Sequence, residues 1–86
     1  MSKEELKELL KSNSTEVMHE LSASDLVDIK EFVNVSLEID RKTFDYYYKI
    51  DIDELLKSEM PTEEFDKLKN QGWSIFEDKI ILFLKS

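Results

Sequence analysis

Residues 33 to 52 alternate apolar and polar with a change of parity in the middle. Val33, Val35, Leu37 and Ile39 are apolar at odd positions, and Phe44, Tyr46, Tyr48, Ile50 and Ile52 at even ones. Period two is the spacing of a half-buried strand, because successive side chains point to opposite faces. The parity switches across Asp40-Arg41-Lys42-Thr43, as an antiparallel hairpin requires if both strands are to turn their apolar sides to one core. The pattern therefore predicts a hairpin over about 33–52.

The remaining elements are arranged around it. Ser2 and Glu5 have capping-box spacing, and Leu6, Leu9 and Leu10 form an apolar stripe on a short helix ending near Lys11. Asn13 or Ser14 caps a second segment carrying Val17, Met18 and Leu21, and Ser24 a third carrying Leu26, Ile29 and Phe32 or Val33. One kinked helix over 14–32 is the alternative. Past the hairpin, Asp53 caps a turn or two through Lys57, Met60-Pro61-Thr62 marks a restart, and Phe65 and Leu68 face the core. Gly72, the single glycine, closes that helix in a left-handed conformation.

Trp73 to Phe76, a tight link at Glu77-Asp78 and Lys79 to Leu84 read as a second hairpin over about 73–84. Ile80 to Leu84 is an unbroken apolar run, which places this strand inside the sheet or under a helix, with both faces covered. The expected fold is one α+β domain over 1–86. A four-stranded, mainly antiparallel sheet carries the N-terminal helices and one connecting helix, with strand order open and one parallel pair permitted by the long connection over 53–72.

A chain of 86 residues buries roughly 60 to 65% of its unfolded surface, a modest core. A formal charge of −8 repels nucleic-acid backbones and anionic membranes, so direct nucleic-acid binding and membrane association are not expected, whereas a basic protein surface is the expected partner. Without cysteine there is neither a disulfide framework nor thiolate chemistry, and with no apolar leader a cytoplasmic setting is expected, of a cell or of a host cell if the protein is viral. One glycine cannot build a phosphate loop. His19, the only histidine, supplies neither a conventional zinc site nor a Ser-His-Asp arrangement, and the acidic run Asp51, Asp53, Glu54 lacks a calcium-loop pattern. No cofactor, metal or catalytic residue is assigned.

Candidate binding residues come from the hairpin's polar face. If Ile39 opposes Phe44, then Leu37 meets Tyr46, Val35 meets Tyr48 and Val33 meets Ile50, while Glu38 stands against Asp45. Such a like-charge pair costs up to about 1 kcal/mol unless a cation arrives. Glu38, Asp40 and Asp45 thus form an acidic cluster, and Tyr47, Phe76, Ile81 and Phe83 an apolar patch beside it. Aromatic residues inside a charged rim suit a protein-binding surface. The alternative is that helices cover this patch as a second core layer.

The leading expectation is a small acidic, non-enzymatic protein-binding module. A phage or mobile-element inhibitor mimicking nucleic acid is the alternative, and a structural homo-oligomer, pairing a sheet face or an edge strand with its copy, is a further one. An enzyme would have to work with carboxylates and Tyr46 to Tyr48.

Overall fold

A computed structural model describes residues 1–85. The elements run α1 (Lys3–Leu10), a 3₁₀ turn (Ala23–Leu26) continuing into α2 (Val27–Lys30), β1 (Ser36–Ile39), β2 (Tyr46–Asp51), α3 (Ile52–Lys57), α4 (Thr62–Gln71), β3 (Ser74–Phe76) and β4 (Lys79–Phe83). The fold is α+β with a four-stranded sheet of order β1-β2-β4-β3, and every neighbouring strand pair is antiparallel.

Local chemistry places most of these boundaries. Ser2 and Glu5 close the expected capping box, each bonding the other's backbone N–H at 3.2 Å. Pro61 precedes α4, and Gly72 ends it at φ 101°, letting its N–H reach the Lys69 carbonyl. α3 begins at Ile52, earlier than an Asp53 cap would place it, because the last residue of β2 leads straight into the helix. Helix α2 is likewise short, and Ser22 rather than Ser24 precedes its 3₁₀ turn.

The helices share one side of the sheet. Leu6 and Leu10 from α1, Leu26, Ile29, Leu55, Phe65 and Leu68 pack with Tyr48, Ile50, Ile80 and Leu82 in one buried cluster. Trp73 is fully buried within it, its indole N–H donating to Gln71 at 2.9 Å. β4 is a central strand, as its unbroken apolar run implies, and Ile80, Ile81 and Leu82 are all buried.

The second helix expected near 14–21 is absent. β4 outruns β3, whose pairing stops at Ile81, and the N-terminal segment takes the vacated edge. His19 donates to the Phe83 carbonyl and accepts from the Lys85 N–H, both at 2.9 Å, in a parallel bridge beside Leu84. Backbone groups this close to the core need partners, and that demand overrides the helical spacing of Val17, Met18 and Leu21. The only parallel contact among the described strand pairs and bridges is this one.

The first hairpin pairs two residues away from the expected register. Leu37 lies opposite Tyr48 and Ile39 opposite Tyr46, so the loop is longer, Asp40 to Asp45. Phe44 is not in a strand: its φ is +61° and its N–H donates to Asp40. An even shift preserves which face each side chain occupies but changes every partner. The apolar side of the hairpin is also only partly sequestered, since Leu37, Ile39 and Tyr46 extend past the helices that cover Tyr48 and Ile50.

Candidate functional site

The opposite face of the sheet carries the candidate site. Register alone brings its side chains together. Glu38 of β1 lies beside Tyr47 of β2, Tyr47 beside Phe83 of β4, Lys49 beside Ile81, Ile81 beside Ser74 of β3, and Lys79 beside Phe76. Tyr47, Phe76, Ile81 and Phe83 thus share one face, as the strand parities imply. The rings of Tyr47 and Phe83 pack at a centroid distance of 5.2 Å and a tilt of 49°. Ile81 is buried yet belongs outside the helix-facing cluster, so neighbouring side chains on this face shield it.

These residues floor a concavity of about 460 Å³. Thr15, Ile39, Asp40 and Arg41 complete its wall with Lys79, whose ammonium lies 5.3 Å from the Phe76 ring centroid. Among the described residues none from a helix lines it, so the expected alternative of a second core layer under the N-terminal helices does not describe this face. A second depression of about 300 Å³ adjoins it, where Glu16, Met18, Thr43 and Asp45 meet Thr15, Asp40 and Phe83, which line both.

The three carboxylates expected to cluster are separated by the observed register. Glu38 does not oppose Asp45; it forms an ion pair with Lys49 at 2.8 Å across the β1–β2 ladder. That charged, hydrogen-bonding contact holds the Lys49 ammonium above its ordinary value of 10.5, with burial working the other way. Asp40 and Asp45 stay together at the base of the loop, where the Asp40 N–H donates to the Asp45 carbonyl at 2.8 Å. Asp40 Oδ1 accepts the Lys42 N–H at 2.9 Å, which uses one carboxylate oxygen to shape the turn. Among the described residues no group of three His, Cys, Asp or Glu side chains is arranged to hold a metal ion.

Thr15, Arg41 and Lys79 were not among the residues singled out from sequence. Lys79 was legible in principle, since it shares parity with Ile81 and Phe83 along β4. Thr15 was not, because its place depends on the parallel bridge at His19.

His19 is half-buried in that extended segment, its ring against Gly72 and away from this concavity. No helix among the described residues is long and apolar enough to cross a membrane. No protein-family model matches this chain, and neither does a curated protein or a solved structure.

Proposed function

We propose that this domain is a non-enzymatic protein-binding module whose partner docks on the helix-free face of the sheet. The observation that carries the reading is the concavity floored by Tyr47, Phe76, Ile81 and Phe83, with Asp40, Arg41 and Lys79 around it. Aromatic side chains supply large contact area at low entropic cost, and charged rims set orientation. The formal charge of −8 and the carboxylates of Glu16, Asp40 and Asp45 in the adjoining depression favour a partner with a basic surface, in the cytoplasm.

Nucleic-acid mimicry is less well supported. It calls for a continuous acidic face, and here Lys49 and Lys79 stand among the carboxylates on the same side of the sheet.

Affinity capture from lysate, comparing the wild-type chain with a Tyr47→Ala/Phe83→Ala variant of unchanged circular dichroism, tests the site. A specific protein retained by the first and lost by the second is the expected result. With that protein in hand, Glu16→Lys and Asp45→Lys should slow association and weaken its salt dependence. Retention of the same protein by both chains would place the docking surface elsewhere.

A further inference from the structure

The β1 edge of the sheet is open. Hydrogen bonds at the loop and on the far side of β2 set the phase of the ladder: Asp40 donates to Asp45, and Leu84 to Tyr46. In an antiparallel ladder alternate residues point their backbone groups to opposite sides. Ser36 and Glu38 therefore bond β2, while Leu37 and Ile39 turn N–H and C=O outward, where no backbone partner is present among the described residues. Natural edges are usually blunted by proline, lysine, a bulge or a covering segment. β1, Ser36-Leu37-Glu38-Ile39, contains neither of those residue types, and its one charge is engaged with Lys49. The other edge is only three residues long, and the segment carrying Asn13 and His19 runs along that side.

The side chains beside this open edge are apolar and uncovered. Leu37 is 56% exposed, Ile39 42% and Tyr46 53%, and Leu37 and Tyr46 border, with Phe44, Leu84 and Lys85, a shallow and mainly apolar groove of about 290 Å³. Phe44 is 73% exposed and held at positive φ, a conformation bulky residues rarely take.

We infer that β1 is a self-association edge, on which a second copy of this chain adds antiparallel to join two four-stranded sheets into one. The edge is complementary to a second copy of itself in one register. With Leu37 opposite Leu37 across the two-fold axis, Val35 meets Ile39 and Ser36 meets Glu38, and every outward-facing N–H and C=O finds its counterpart. A slip of two residues toward the loop would set Glu38 against Glu38, a like-charge pair. A slip the other way draws on Val33, which is buried and already bonded to the Ile29 carbonyl. An odd slip would place apolar against polar side chains.

The same register repairs the exposed surface. It continues the Tyr48–Leu37 row into Leu37 and Tyr48 of the second copy. It also sets the bare Tyr46–Ile39 row beside Val35 and, one step on, Ile50 of the second copy, the end of the hairpin that the helices cover. Each copy thus brings its sheltered half to the other's open half. This surface meets the docking face proposed above at Ile39, which also walls that concavity, whereas Leu37 on the two-fold axis lies outside it, so Leu37→Lys and the Tyr47→Ala/Phe83→Ala variant test the two independently.

Sedimentation over micromolar to millimolar concentration tests the inference. The mass is expected to rise from 10.2 kDa toward twice that value. Because each copy carries −8, association should tighten between about 0.05 and 0.5 M sodium chloride, the reverse of binding to a basic partner. Leu37→Lys puts two ammonium groups on the axis and should weaken the dimer at least about tenfold. As the chain has no cysteine, Leu37→Cys reads the register directly: it should cross-link under mild oxidation far faster than Glu38→Cys. A monomer at every concentration and salt, a dimer indifferent to Leu37→Lys, or faster cross-linking at position 38 would each overturn it.

Discussion

The imidazole of His19 lies against Gly72, so close that a β-carbon built there would stand 2.2 Å from its Cε1. Two independent constraints meet at this glycine. Its φ of 101° is hostile to L side chains, and the space a methyl would need is occupied by a ring anchored through its backbone to β4.

Gly72→Ala is therefore expected to destabilise the domain by more than about 2 kcal/mol in urea denaturation. In a His19→Ala background the steric part disappears and the backbone strain stays, so the cost of the same substitution should fall by about 1 kcal/mol. Equal cost in both backgrounds would mean that the ring yields freely.

Asn13 ties the N-terminal segment to the end of α4. Its side-chain amide donates to the Lys69 carbonyl at 3.0 Å and the Trp73 carbonyl at 2.7 Å. Asn13→Ala should cost about 1–2 kcal/mol, the loss of two partners at a helix C-terminus. Asn13→Asp should cost more at neutral pH, because it turns a carboxylate toward two carbonyl oxygens at the negative end of a helix. Thermal melts of the two variants give the order.

Glu77 occupies the tight β3–β4 turn at φ +57°, and Phe44 the longer loop at φ +61°. Glycine at either position should relieve strain and raise stability by up to about 1 kcal/mol. Phe44→Gly loses little packing, since that ring is mostly exposed. A shift of the denaturation midpoint to lower urea in both variants would contradict this reading.

The Glu38–Lys49 pair makes a prediction with a defined pH sign. Lys49 is raised above 10.5 in the folded chain, so its contribution is fully present below that value and is lost as pH climbs through the raised one. Both side chains are partly exposed, and a double-mutant cycle with Glu38→Gln and Lys49→Met should give a coupling of about 0.5 kcal/mol at neutral pH. The coupling should vanish at strongly alkaline pH and stay unchanged between pH 6 and about pH 9.

Strand parity was decisive for the candidate site. Tyr47, Phe76, Ile81 and Phe83 could be assigned to one face without coordinates, because alternation follows from backbone geometry alone. The acidic cluster could not be assigned in the same way. Whether Glu38 meets Asp45 or pairs with Lys49 depends on loop length, and a left-handed Phe44 adds two residues to the loop in a way no local propensity signals.

What the chain's order of residues determined unaided is whatever depends on neighbours within a few positions: the capping box at Ser2 and Glu5, the glycine stop at Gly72, the alternating strands and the buried interior of β4. Tertiary structure alone decided the hairpin register, the conversion of residues near His19 from expected helix to strand-edge filler, and the fact that the helices share one side. Those outcomes turn on backbone partners and shelter supplied from tens of residues away. Hydrogen bonds left open beside β4 outweigh a weak helical preference, and the area that short helices can cover sets how much of the sheet stays bare.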